Sequence, residues 1–133
     1  MIETLVRRFY TDLWEVGDEA AAPRILASDL VFRGSVGTET RWIDGYLTYL
    51  RRVRGALGDY RCDIVRLVCG GDHAAARMHF HGLHHSDFMD YAQTGQRIGW
   101  VGVAFFQMRD RRLVEIWVLG DMDGLRAALE APS

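Results

Sequence analysis

The sequence predicts a single α+β domain in which helices come first and a mostly antiparallel sheet follows. Apolar residues recur at helical spacing before residue 58, whereas alternating patterns typical of strands fill most of the chain from residue 60 to residue 119. Helices that precede a meander of strands pack on one face of the sheet. At 133 residues, 1–133 is expected to be one domain with one core.

Two long helices are predicted in the first half of the chain. The first covers 2–16, ends at Gly17, and is indicated by apolar side chains at helical spacing: Ile2, Leu5, Val6, Phe9 and Leu13. The other ends before Gly58, expected in the left-handed position beyond the helix, and is indicated by Ile43, Tyr46, Leu47, Leu50 and Leu57. Between them we expect a short helix over 19–27 with Asp18 as N-cap, a strand over 30–33, and a loop over 34–40.

The second half predicts strands over 60–69, 73–85, 97–108 and 112–119. They are joined by Gly70-Gly71-Asp72, a long loop over 86–96, and a turn over 109–111. Asp121 is the expected N-cap of a closing helix.

Alternation along these strands separates an inner from an outer face. The inner face should carry Ala76, Met78, Phe80, Trp100, Gly102, Ala104, Phe106, Ile116, Val118 and Gly120. Small residues beside large aromatic ones predict an internal hydrophobic pocket, in which aromatic side chains would stack on a flat ligand.

Composition excludes several classes of protein. A net charge of −2 without a basic stripe gives no reason to expect nucleic acid or an anionic membrane as partner. No apolar run approaches the roughly eighteen residues of a membrane span, and no signal-peptide pattern opens the chain, so a cytoplasmic location is expected. Cys62 and Cys69 share one predicted strand roughly 23 Å apart. They are therefore expected to be reduced thiols.

Several short motifs occur in a fixed order along nearly the whole chain. They include Arg8-Phe9-Tyr10, Ala27-Ser28-Asp29-Leu30-Val31, Thr94-Gly95, and Glu115-x-Trp117-x-x-x-Asp121-x-x-Gly124-Leu125. With these motifs the chain resembles the SnoaL-like branch of the NTF2-like superfamily. The resemblance implies a cone-shaped sheet closed by helices, an apolar cavity inside the cone, and a homodimer through the outer sheet face.

The positions that carry acid/base groups in the family hold apolar residues here. The resemblance matches the general acid/base Asp of the polyketide cyclases with Val118, a catalytic His or Asp with Ala104, and an assisting Asn or His with Phe32. The general-base Asp that ketosteroid isomerases keep near the position of Gly34 is also absent. A true aldol cyclase is therefore not the first expectation.

Tyr10 and His84 remain as candidate catalytic residues. The resemblance implies that Tyr10 matches the tyrosine that donates a hydrogen bond to the oxyanion in ketosteroid isomerases; alternatively, it is a core aromatic residue whose hydroxyl reaches water or a carbonyl. His84 matches a recurrent family histidine at the cavity rim and, with Asp87 in the following loop, could act as a base. The alternative is that His84 fixes the strand end by bonding to the backbone.

A metal site on the outer face is a further hypothesis. His79 and His81 point the same way, and Glu115 is a conceivable third ligand on a neighbouring strand. These positions lie opposite the predicted pocket, and Arg77 with Glu115 fits a cross-strand ion pair more simply. We therefore expect neither a metal nor another cofactor.

The predicted function is tailoring of a hydrophobic aromatic or polycyclic small molecule in polyketide-like metabolism, by a hydroxylase-like, dehydratase-like or isomerase-like divergent member of the family. The alternatives are a non-catalytic carrier or accessory subunit, a true aldol cyclase that uses Tyr10 and His84, and a stress-type NTF2-like domain. The predicted ligand-binding residues are Trp14, Phe32, Met78, Phe80, Trp100, Gly102, Ala104, Phe106, Ile116 and Val118. The predicted dimer surface contains His79, His81, Val103, Phe105 and Trp117.

Overall fold

A computed structural model describes residues 1–131 and has an α+β architecture. Its α-helices are α1 (Ile2–Arg8), α2 (Ala22–Ile25), α3 (Trp42–Ala56) and α4 (Met122–Glu130). Its strands are β1 (Leu26–Arg33), β2 (Glu39–Arg41), β3 (Leu57–Gly70), β4 (His73–His84), β5 (Arg97–Arg109) and β6 (Arg112–Gly120). The six strands form one sheet in the order β2-β1-β6-β5-β4-β3. Within the described part of the chain only β1 and β6 pair in parallel, so the predicted mostly antiparallel sheet is confirmed.

The first predicted helix has the expected length but changes type along its course. α1 continues directly into a π-helix over Phe9–Val16, which ends at Gly17 with a φ of 79°. Arg54 of α3 donates to the carbonyl oxygen of Trp14 at 2.9 Å and thereby binds one of the free carbonyls at this helix end. The same guanidinium occupies the space that a Cβ at Gly17 would need. Glycine is thus favoured here by the left-handed backbone, and a larger residue would also have to displace the Arg54 guanidinium.

The segment 19–27 does not form the single short helix that was predicted. It divides into a 3-10 turn over Glu19–Ala21 and the short α2, and Leu26 already begins β1. Leu26 pairs with Leu113 of β6, so sheet pairing begins earlier than the helical pattern indicated. Asp18 occupies the N-cap position of the 3-10 turn as predicted, but its side chain makes no capping hydrogen bond.

Two predictions around α3 also need correction. Gly58 follows the C-cap Leu57 as predicted but does not adopt the left-handed conformation expected there, because the chain becomes extended at Leu57 and Gly58 lies inside β3. The loop predicted over 34–40 contains the start of β2, which pairs with the end of β1. In contrast, Asp121 caps α4 as predicted, accepting a bond from the backbone N–H of Gly124 at 3.0 Å.

The register of β4, β5 and β6 confirms the predicted separation of faces. Phe80 pairs with Trp100, and Ala104 pairs with Val118. All four side chains are buried between the sheet and the helices. Cys62 and Cys69 are both free thiols, as expected. Among the described residues, no helix is long and apolar enough to cross a membrane.

Candidate functional site

The candidate site is a cavity inside the cone, between the inner sheet face and the helices. Its volume is about 20 Å³. Its lining residues are Phe9, Tyr10, Trp14, Phe32, Gly34, Ser35, Tyr49, Tyr60, Phe80, Trp100 and Val118. A cavity needs roughly 10–15 Å³ to admit one water molecule. In this conformation it therefore has room for about one water.

Tyr10 supplies a buried hydroxyl to this cavity. It lies in the π-helix, is 2% exposed, and its ring packs edge-on against Phe9 and Phe106 with centroid distances of 5.0 and 6.0 Å. Its hydroxyl has no hydrogen-bond partner among residues 1–131. Burial raises the pKa of Tyr10 well above its ordinary value, so the group stays a neutral donor at physiological pH.

Trp100 brings a second partnerless donor to the same cavity. Its indole N–H is buried and unpaired, as is the hydroxyl of Tyr46 on α3. Leaving a buried polar group without a partner costs about 1–3 kcal/mol. Folded proteins rarely keep such groups without a reason. The interior of the cone is thus lined mainly by aromatic and apolar side chains but contains unpaired hydrogen-bond donors.

His84 is fully buried but does not line the cavity. Its Nδ1 accepts from the backbone N–H of Thr94 at 3.3 Å and lies 3.1 Å from the hydroxyl of the same residue. Because Nδ1 accepts a backbone N–H, the ring proton of the neutral imidazole resides on Nε2, which has no partner. The ring contacts Phe88, which packs on the cavity residue Trp100. Asp87 lines a separate surface depression and makes no hydrogen bond with His84.

The SnoaL-like polyketide cyclase family model matches residues 4–129. The chain belongs to the SnoaL-like polyketide cyclase family. No curated protein sequence matches it significantly.

Solved structures show the same fold. TsrD from Streptomyces laurentii has a TM-score of 0.84 at 24% identity, over 98% of this chain and 96% of that one. IdmH from Streptomyces antibioticus, a candidate polyketide cyclase, has a TM-score of 0.84 at 22% identity, over 97% and 98% of the two chains. AclR from Streptomyces galilaeus, a candidate hydroxylase, has a TM-score of 0.81 at 21% identity, over 98% and 86%.

The positions matched to acid/base residues of SnoaL-like cyclases are apolar in the folded protein as well. Val118 lines the cavity, whereas Ala104 is buried between Ala76 and Val118 in the sheet and does not reach it. Phe32 fills the corner beside Tyr49, with ring centroids 5.1 Å apart. No carboxylate or imidazole is among the lining residues of the described chain.

About half of the predicted ligand-binding residues lie at the cavity of this SnoaL-like cone: Trp14, Phe32, Phe80, Trp100 and Val118. Five others are buried without lining it: Met78, Gly102, Ala104, Phe106 and Ile116. The space expected at Gly102 is filled, because a Cβ there would lie 3.1 Å from the Phe80 ring and 2.8 Å from the Leu119 carbonyl oxygen. Small residues here accommodate neighbours and do not open a pocket.

Sequence reasoning missed several cavity residues: Phe9, Gly34, Ser35, Tyr49 and Tyr60. The available signal was the helical spacing of Tyr46 and Tyr49, which places two tyrosines on one helix face. Gly34 and Ser35 come from the loop after β1, whose course no periodicity could predict. The Tyr49 hydroxyl accepts a bond from the Val36 backbone N–H at 3.2 Å and so fixes this loop.

On the outer face, the predicted cross-strand pairing of Arg77 with Glu115 is wrong. Arg77 lies opposite Val103, whereas Glu115 lies opposite Gln107, so the two charged side chains are not cross-strand neighbours. Glu115 is not a neighbour of His79 either, because His79 lies opposite Val101 and Glu115 lies opposite Gln107.

Proposed function

We propose that the protein binds a flat, hydrophobic, oxygen-bearing aromatic or polycyclic molecule inside the cone and acts on it as a cofactor-independent tailoring protein of polyketide-like metabolism. The observation that carries this proposal is the pair of partnerless donors, the Tyr10 hydroxyl and the Trp100 indole N–H, on residues lining one aromatic cavity. A carbonyl or phenolic oxygen of a ligand would satisfy such donors, while the surrounding rings would stack on its planar skeleton.

The proposed chemistry follows from what lines the cavity. Tyr10, kept neutral by burial, would donate to a ligand oxygen and stabilise negative charge that develops there. Because the described lining contains no carboxylate or imidazole, the site suits reactions that depend on a polarised carbonyl more than on a strong protein base. Dehydratase-like and isomerase-like steps fit this site where a water molecule or the substrate's own oxygen takes the proton from carbon. A hydroxylase-like step would in addition need dioxygen as the oxidant and the substrate itself as the reductant.

Ligand binding requires the cone to open. Pockets for molecules of this size have volumes of about 300–1,000 Å³, compared with about 20 Å³ here. Gly34 and Ser35 belong to the one irregular segment that lines the cavity. The hydrogen bond from Val36 to Tyr49 is the bond that must break for that segment to move away.

A non-catalytic carrier is the second candidate function. It is favoured by one observation: the imidazole of His84 lies outside the cavity, behind Phe88, so the interior holds donors but no group that could accept a proton from carbon. The same placement weighs against an aldol cyclase that uses Tyr10 and His84 together.

The test is a titration of the full chain with an anthraquinone, followed through quenching of tryptophan fluorescence. We expect saturable binding in the parent and about fivefold weaker binding in Tyr10→Phe, because one hydrogen bond is worth about 1 kcal/mol. Tyr91→Phe is the matched control, since Tyr91 lies in the loop after β4 and bonds to Glu130 at the surface. Equal affinity of all three proteins would contradict the proposal.

Turnover separates the two candidate functions. If the parent converts the ligand, the Tyr10→Phe variant should be at least about tenfold slower, because loss of one oxyanion donor typically costs about 10²–10³ in rate. Binding without conversion would assign the carrier function. Loss of conversion in His84→Gln with unchanged folding and ligand affinity would instead favour the cyclase mechanism.

We also propose a homodimer through the outer face of β5 and β6. Five large apolar side chains lie exposed there: Val101, Val103, Phe105, Trp117 and Leu119. Phe105 and Trp117 are paired in register and are 48% and 39% exposed. A contiguous apolar patch of this kind is typical of an interface.

Light scattering at micromolar concentration tests this assembly. We expect a dimer for the parent and a monomer for Phe105→Arg. Val16→Arg, at an exposed position at the end of the π-helix and away from this sheet face, is the control and should remain dimeric. A monomeric parent would contradict the proposed dimer.

A further inference from the structure

Three ligating side chains meet on the outer face of β3 and β4. His79 and His81 are two residues apart on β4 and therefore project from the same face. Asp63 of β3 is paired with His79 in register. One ligating atom from each of the three side chains lies within 4.8 Å of the other two.

The distances are close to those of a metal centre. Asp63 Oδ2 is 2.9 Å from His81 Nε2 and 3.7 Å from His79 Nδ1. Ligand atoms bound to a tetrahedral Zn²⁺ at about 2.0–2.1 Å lie roughly 3.4 Å from one another. The two imidazole rings are stacked, with centroids 4.8 Å apart and planes 26° apart. Small side-chain rotations would therefore bring all three atoms onto one ion without moving the strands.

We propose that Asp63, His79 and His81 form a binding site for a divalent transition-metal ion, with Zn²⁺ as the best fit. Two imidazoles and one carboxylate favour such ions over Mg²⁺ and Ca²⁺, which prefer all-oxygen sites. In the single chain the three side chains are at least partly exposed, so an ion would reach them from solvent and would keep an open position for water. The site is separated from the cone cavity by the sheet itself.

Arg97 is the group that opposes metal binding. Its guanidinium donates to His81 Nδ1 at 2.9 Å, so in the metal-free protein the His81 proton is on Nε2 and is donated to Asp63. A metal ion on Nε2 requires that proton to move to Nδ1, and Arg97 must then release the ring. After this release Arg97 would remain bound to Asp59, whose carboxylate already accepts a hydrogen bond from its guanidinium at 2.7 Å.

This arrangement predicts an unusual effect of one substitution. Arg97→Met removes both the competing hydrogen bond and a positive charge near the ion, while it preserves much of the apolar stem. Zn²⁺ should therefore bind more tightly to Arg97→Met than to the parent protein. A purely non-specific association of Zn²⁺ with surface histidines would give no such increase.

The experiment is a competition titration of the full chain, free of any histidine tag, with Zn²⁺ against a chromophoric chelator. We expect one ion per chain. The His79→Asn/His81→Asn double variant should bind at least about tenfold more weakly, as is typical when ligand support is lost at metal sites. Asp63→Asn should show a smaller loss, and excess Mg²⁺ should not displace Zn²⁺.

His73→Gln is the matched control, because His73 also pairs with a carboxylate, that of Asp72 at 2.7 Å, but has no second histidine beside it. It should bind Zn²⁺ like the parent, and circular dichroism should be unchanged in every variant. An unchanged affinity in the double variant, or an equal loss in His73→Gln, would overturn the proposal. Weaker binding by Arg97→Met would overturn the assigned role of His81 Nε2.

Discussion

The two faces of the central strands carry alternating residues and differ in exposure and in how well their polar groups are paired. Phe105 and Phe106 are neighbours in β5, yet Phe105 is 48% exposed and Phe106 is 2% exposed. On the outer face, polar side chains are well paired: His81 contacts both Asp63 and Arg97. On the inner side, the buried Tyr10 hydroxyl and Trp100 N–H have no partner.

This contrast indicates where each kind of partner belongs. Unused donors in an apolar interior call for a small ligand that carries oxygen atoms, since water has little room there. On the outer face the polar side chains are already paired, whereas large apolar side chains are exposed. Such a surface favours contact with another protein surface, which would bury the apolar area. The same strands therefore support a small-molecule site on one side and an assembly surface on the other.

The largest expected effect is the loss of stability at high pH, where the interior tyrosines ionise. Burial raises the pKa of Tyr10, Tyr46 and Tyr60 well above 10 and that of Tyr49 to about 12. A raised folded-state pKa contributes stability that is complete below pH 10 and is lost as pH rises through 12. Tyr49 alone, whose shift is about two units, should account for a loss of about 3 kcal/mol over this range.

Ultraviolet absorbance of tyrosinate and circular dichroism, recorded together above pH 10, measure this effect. Only Tyr91, which lies on the surface and whose hydrogen bond to Glu130 raises its pKa, should ionise before the protein unfolds. The four interior tyrosines should ionise together with loss of structure. Reversible ionisation of several tyrosines in a folded protein would show that the interior is open to solvent, and the contrast between the faces would fail.

The next effect compares the two adjacent phenylalanines. Phe106→Ala should lower the free energy of unfolding by about 3–5 kcal/mol, because it leaves a void beside Phe9 and Tyr10. Phe105→Ala should cost less than about 1 kcal/mol in the monomer. Denaturant unfolding of both variants provides the measurement. Similar losses at a protein concentration that keeps the chain monomeric would mean that Phe105 is buried within the single chain, and the contrast between the faces would fail.

Much of the fold followed from local pattern. Strand alternation placed Phe80, Trp100 and Val118 on one inner face because a strand has a strict period of two, and any other register would have buried charged residues. Segment 19–27 failed because Ala22 and Ile25 satisfy a helix and the approach to a strand equally well. There the parallel partner Leu113, distant in sequence, decided the outcome.

The candidate site was predicted less completely, because its shape depends on which side chain fills which gap. Gly102 indicated open space in the sequence, but Phe80 from the neighbouring strand fills it. The metal-ligand cluster gained Asp63 in place of Glu115 because a register of strands two hairpins apart cannot be read from alternation alone. Tyr49 entered the cavity through its bond to the Val36 backbone, a contact without any periodic signal.

The smallest expected effect comes from removing either of two interior hydroxyls. That of Tyr49 has a hydrogen-bond partner, whereas that of Tyr10 has none among the described residues. Tyr49→Phe should destabilise the protein by about 1 kcal/mol, because the partly buried backbone N–H of Val36 loses its hydrogen-bond acceptor. Tyr10→Phe should be neutral or slightly stabilising, because its hydroxyl bonds to nothing in the folded chain. Thermal unfolding of the two variants, each with ligand titration, gives both quantities. A Tyr10→Phe protein that is as stable as the parent but binds ligand more weakly would identify a hydroxyl retained for function at the expense of stability. If Tyr10→Phe instead loses as much stability as Tyr49→Phe, the Tyr10 hydroxyl has a structural partner such as a trapped water, and the interior is not short of acceptors.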